Sequence, residues 1–167
     1  MVSKFLRTGY LWDHVRVIGG AYGGFCTFDA KGGDGVFTYL SYRDPNLEKT
    51  IDVYDNTPDA LFAAAKHMEE KPEALATAII GAMSDLDGAL SPDQKGATAL
   101  NRWIARESPE QRQKFRDEVL NTKAEDFKII AERLKGLQKP SVAVVSSKAA
   151  FEAAAEAGKV MDLTEVA

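Results

Sequence analysis

Cysteine, long apolar runs and an excess of charge of one sign are all missing from this sequence, and each absence removes a class of protein. One cysteine, Cys26, stands among 167 residues. No disulfide can close within the chain and no cysteine cage for zinc can be built, so a reducing compartment fits best. The apolar runs fall well short of the roughly 20 residues that cross a bilayer. Met1 to Thr8 is too short and too polar for a secretory signal, so nothing in the sequence targets or anchors it and no membrane partner is expected. The 21 basic residues against 25 acidic ones leave a net charge of -4. That balance argues against a surface built to neutralise nucleic-acid phosphate, and no nucleic-acid partner is expected.

What is present suits a folded chain. A composition 45% hydrophobic and 28% charged is ordinary for a globular protein, and at this length folding should bury about 70% of the unfolded surface. No internal repeat, low-complexity linker or charge block marks a second domain. Glycine is spread unevenly, with seven of the 13 lying between Gly19 and Gly35.

Val2, Phe5, Leu6, Gly9 and Trp12 recur at helical spacing, which predicts an amphipathic helix over residues 2 to about 15. Neither a capping box nor a proline marks its start, so the chain opens inside or just before a helix. The pairs Gly19-Gly20 and Gly23-Gly24 break the helix. Beyond them, Ala21 to Tyr42 reads as an antiparallel hairpin turning at residues 30–35, ended by Asp44-Pro45-Asn46. Helices follow almost to the end. Thr57-Pro58 and Lys71-Pro72 start two of them, while Ser91 with Gln94, Ser108 with Gln111, and Thr122 with Glu125 read as capping boxes. Phe127, Ile130, Ala131 and Leu134 form the apolar stripe of the last of these. Pro140 to Ser146 has the pattern of a buried strand joining the hairpin's sheet. Ser147 then caps a helix from Lys148 to Ala157, stopped by Gly158. The fold class is α+β: a two-layer sandwich in which a mixed or antiparallel sheet is covered by a helical layer.

Three groupings suggest chemistry and fail on inspection. His67-Met68-Glu69-Glu70-Lys71 is one histidine short of an inverted zinc motif, and the amine of Lys71 stands where the second imidazole belongs. Cys26 and His14 lie on different elements with no orienting carboxylate, so a buried strand cysteine and a surface histidine are expected. Gly19-Gly20-Ala21-Tyr22-Gly23-Gly24 follows a helix and precedes a strand, the reverse of a phosphate loop. Glycine in a strand instead marks close approach by another backbone, as when a peptide adds to a sheet edge. Arg16 and Tyr22 would flank such an edge with a forked guanidinium and a phenol, both hydrogen-bond donors. Their structural alternatives are an arginine on the helix C-terminus and a tyrosine packed on the sheet.

The segment Tyr10-Leu11-Trp12-Asp13-His14-Val15-Arg16-Val17-Ile18-Gly19-Gly20-Ala21-Tyr22-Gly23-Gly24-Phe25 has company in Leu40-Ser41-Tyr42-Arg43-Asp44-Pro45-Asn46 and Ala78-Ile79-Ile80-Gly81. Together they resemble the C-terminal end of the presequence proteases, the organellar branch of the pitrilysin and insulysin-type zinc metallopeptidases. The resemblance runs to about Ser147. It implies a four-domain enzyme of the mitochondrial matrix or chloroplast stroma that closes around cleaved targeting peptides and other short unfolded peptides. By the same resemblance this chain is a single C-terminal, pitrilysin-type domain, partial and truncated at its N-terminal side. The zinc and its ligands would lie in the first domain, so this chain would bind no metal and be inactive alone, with the enzyme's other domains as partners. In the family an arginine and, six residues on, a tyrosine reach the substrate. Those positions match Arg16 and Tyr22, beside Gly19 and Gly20, with Tyr22 assisting the transition state in trans. A non-catalytic binding or structural module of the same superfamily is the alternative, and an independent small-ligand domain a third.

Overall fold

A computed structural model of the chain describes residues 1–29, 35–137 and 140–156. Helix α1 (Val2–Thr8) leads into a π-helical segment, Trp12–Ile18, and then a hairpin of β1 (Gly23–Asp29) and β2 (Val36–Tyr42). Among the described residues seven helices follow: α2 (Leu47–Asp55), α3 (Thr57–Glu70), α4 (Pro72–Leu86), α5 (Pro92–Ile104), α6 (Pro109–Leu120), α7 (Ala124–Gly136) and α8 (Lys148–Glu156). Four of them carry proline in the first turn, where its missing N–H costs nothing and its fixed φ suits the helix. The α+β class with a helical layer is what the structure shows.

The strands pair antiparallel, with Gly24 opposite Ser41, Cys26 opposite Tyr39 and Phe28 opposite Phe37. Alternation along β2 turns Phe37, Tyr39 and Ser41 toward the helices and leaves Val36, Thr38, Leu40 and Tyr42 exposed, as expected of a sheet covered on one face. Between hairpin and helices lies the core: Leu6, Leu11 and Val15 from the N-terminal helix, Cys26 from β1, Leu61, Ala65 and Met68 from α3, and Phe127 and Ala131 from α7. Phe5 meets Phe127 edge to face at 5.3 Å, and Tyr39 stacks on Tyr54 at 4.8 Å. Ion pairs tie helix to helix at the rim: Lys4 and Arg7 to Asp85 (2.8 and 3.3 Å), and Lys128 to Glu69 (2.5 Å). Solvent screens such exposed pairs and side-chain ordering offsets their attraction, so the apolar core carries most of the stability.

Three expectations need correction. The first helix is not continuous: α1 stops at Thr8, Gly9 breaks it at φ -120°, and the chain then winds on to Ile18 as a separate π-helical segment. The wider turn moves the buried positions to Leu11 and Val15 and leaves Trp12 exposed. Pro140 to Ser146 forms no strand: the described sheet has two strands, and Val142, Val144 and Val145 all face solvent. A β-branched run becomes a strand only where an edge pairs with it and a neighbour covers its face, and neither is offered here. The third capping box does not form. The Thr122 hydroxyl donates to the Glu118 carbonyl at the end of α6, so Lys123 becomes the cap residue of α7 and its N–H donates to the Asp126 carboxylate (2.7 Å). The box at Ser108 forms with both of its bonds, while at Ser91 only half of it forms, the Ser91 N–H donating to the Gln94 side chain (3.0 Å). The hairpin turn at residues 30–34 and the helix stop at Ala157 and Gly158 lie outside the described residues.

Candidate functional site

The turn that carries Arg16 and Tyr22 is one residue wider than an ordinary helix end. Gly19 N–H donates to the His14 carbonyl (3.0 Å), Gly20 N–H to that of Arg16 (3.0 Å) and Ala21 N–H to that of Val15 (3.1 Å). This is a Schellman-type finish enlarged by one residue, with Gly20 in the left-handed conformation at φ 78°. Gly19 has no room for a side chain, since a Cβ there would lie 2.5 Å from the Val15 carbonyl oxygen. One on Gly24 would lie 3.0 Å from Val15 Cβ. The close approach that strand glycine implies is therefore made here by the protein's own helix, with β1 lying directly against the π-helical segment.

The loop after β2 braces this turn. The Asn46 side-chain amide donates to the Gly19 carbonyl, Pro45 lies beside Gly20, and the Asp44 carboxylate accepts from Asn46 N–H (2.9 Å). Tyr22 N–H is shared between the carbonyls of Tyr42 (3.1 Å) and Arg43 (3.4 Å). The two sequence segments that occur together thus touch, and their common product is an open groove lined by Trp12, Arg16, Gly20, Tyr22 and Arg43. The Arg16 guanidinium lies over the Trp12 ring at 4.1 Å. Four residues make nearly one turn of a π-helix, which stacks the two side chains on one side. Tyr22 is 66% exposed and meets Tyr42 edge to face at 6.0 Å. Sequence reasoning found Arg16, Gly20 and Tyr22 here but did not single out Trp12 or Arg43. Spacing of four from Arg16 could have revealed Trp12, whereas only folding brings Arg43 to Tyr22.

The other candidates are dispersed. His14 is exposed and packs on Tyr10, and His67 is exposed on α3, whose Glu69 pairs with Lys128. Among the described residues no group of three or more histidine, cysteine, aspartate or glutamate side chains could hold a metal ion. The donor set therefore does not fit a zinc site. Cys26 is buried, and burial pushes its thiol up to about 12, with Arg7 and the N-terminal ammonium pulling partly back. The thiolate is the reactive form, so a maleimide at mildly alkaline pH should leave Cys26 of the folded protein unmodified and label it at once in denaturant. Fast labelling of the folded chain would contradict this placement.

Comparison with known proteins gives the arrangement a context. Residues 1–148 match the family described as the PreP C-terminal domain. Presequence protease 1, chloroplastic/mitochondrial, of Arabidopsis thaliana is 45% identical over 149 residues, which are 89% of this chain and 13% of that protein. Protein HypA of Clostridium perfringens is 35% identical over 83% of this chain and 14% of its own length. The mitochondrial presequence protease of Aspergillus fumigatus is 31% identical over 80% of this chain and 12% of its own. The chain thus spans about an eighth of the length of these relatives. A match over residues 1–148, covering both the glycine turn and the loop that braces it, shows that this chain belongs to the presequence protease C-terminal domain family.

Proposed function

We propose that this chain acts as the substrate-contacting, chamber-closing part of a peptidase that degrades short unfolded peptides, with Arg16 and Tyr22 as the contacts. The observation that carries the proposal is the groove: a guanidinium and an exposed phenol held on either side of a rigid glycine turn, each on an aromatic neighbour instead of a carboxylate. Both groups donate hydrogen bonds and suit peptide carbonyl oxygens, including one that gains negative charge as the peptide bond is attacked. Gly20 leaves the groove floor open, while Gly19 holds the turn, its carbonyl already taken by Asn46. Zinc chemistry, where the whole enzyme uses it, is supplied by residues outside this chain. The relatives' names support work on targeting peptides in mitochondria or plastids.

Complementation tests this reading. The Arabidopsis relative deprived of its matching segment should not cleave a fluorogenic peptide, this chain alone should not, and the mixture should. A complex that forms without cleavage would instead favour a non-catalytic structural module, and the absence of any complex would sink the proposal.

A further inference from the structure

The groove holds a second cation that the proposed peptide contacts leave unused. Arg43 follows β2 directly and is one of two non-glycine residues with positive φ among those described, at 48°. A left-handed backbone is uncommon for a residue other than glycine, asparagine or aspartate, and where it persists the surroundings hold it. The surroundings are specific here. The Arg43 carbonyl accepts from Tyr22 N–H, and its guanidinium stands over the rings of both Tyr22 (5.9 Å) and Tyr42 (5.4 Å). Arg43 and Arg16 line the same groove, and among the described residues neither forms an ion pair with a carboxylate. The neighbouring Asp44 forms no ion pair with Arg43. Its carboxylate bonds the Asn46 backbone and lies near enough to Tyr54 to help raise that phenol, after burial.

Two guanidiniums stacked on aromatic rings keep their N–H edges free, and a planar fork of donors matches a carboxylate. We infer that Arg43 is a specificity-determining residue that recognises a carboxylate of the bound peptide, from its free C-terminus or from an acidic side chain, next to the contacts made by Arg16 and Tyr22. The inference rests on the peptide-binding reading of the groove.

Its test uses the 167-residue chain carrying Trp103→Phe, which leaves Trp12 as the one tryptophan of two and its fluorescence as a report on the groove. Four nonapeptides of one sequence serve as probes: a free C-terminal acid and its amide, and, both amidated, a central glutamate and a central glutamine. One acid of the two pairs should bind about fivefold tighter than its neutral partner, the size expected of an exposed charge pair. Which pair shows the difference identifies the source of the carboxylate. Arg43→Asn, which tolerates the left-handed backbone, should abolish the preference without weakening the neutral peptides, and Arg43→Lys should retain part of it. Unchanged melting temperatures establish that both variants fold. Equal binding of acid and neutral peptides, or a preference that survives Arg43→Asn, overturns the inference and leaves the peptide reading standing. Failure of all four peptides to bind overturns both.

Discussion

Tyr22→Phe or Arg16→Ala, placed in the Arabidopsis relative with this chain in place of its own matching segment, is expected to lower peptide turnover by roughly 10²–10³. That is the usual consequence of removing one donor from an oxygen that becomes charged in the transition state, about 2.7–4 kcal/mol. The size depends on timing. A donor that only holds the peptide in place raises KM and leaves kcat nearly unchanged, while one whose bond strengthens as charge develops lowers kcat. Tyr22→Phe makes the sharper of the two tests, because it deletes one hydroxyl and keeps the ring that meets Tyr42. Arg16→Lys should recover a fraction of the Arg16→Ala loss, since the charge returns without the fork. Neither change should shift the melting temperature appreciably, for both side chains are exposed. Peptide cleavage equal to that of the parent in both variants would end the assignment.

Gly19→Ala is expected to destabilise the chain by about 3 kcal/mol, the upper end of what overpacking costs. The reason lies in what the new methyl would strike. Val15 O at 2.5 Å and His14 O at 2.9 Å are backbone atoms, and they can retreat only by opening the hydrogen bonds that close the widened turn. At about 2–4 °C per kcal/mol for a chain of this size, melting should fall by about 6–12 °C. Gly81→Ala provides the control with the opposite sign. A Cβ at Gly81, inside α4, meets nothing within 4 Å, so alanine should stabilise by roughly 0.5–1 kcal/mol through helix propensity. A Gly19→Ala protein that melts with the parent would show that the turn is not held as described. Because Arg16 and Tyr22 flank this turn, Gly19→Ala should also impair peptide binding, although Gly19 itself offers no side chain.

The elements that could be read from residues alone are those whose signals are local. Proline in a first turn and a serine answered by glutamine three residues later act within one turn of backbone, and the starts of α3 to α6 follow them. The hairpin likewise follows from β-branched and aromatic residues bounded by glycine and by Asp44-Pro45-Asn46. The misread elements depend on what lies across space. Pro140 to Ser146 has a strand's composition without a partner edge, and Thr122 gives its hydroxyl to the preceding helix.

The candidate site divides in the same way. Arg16, Gly19, Gly20 and Tyr22 stand within seven residues, so their grouping is written in the chain. The amino-acid order alone also determined the α+β class, the starts of α3 to α6 and the glycine break between helix and strand. The tertiary structure alone decided that the break is a widened turn packed under β1, that Asn46 holds it, and that Arg43 joins Arg16 and Tyr22 in one groove. The physical reason is that periodicity and capping are settled within a turn or a strand pair. The rotation of a π-helix, the space left at Gly19 and the meeting of two guanidiniums from distant segments are instead settled by packing between elements, which no local pattern encodes.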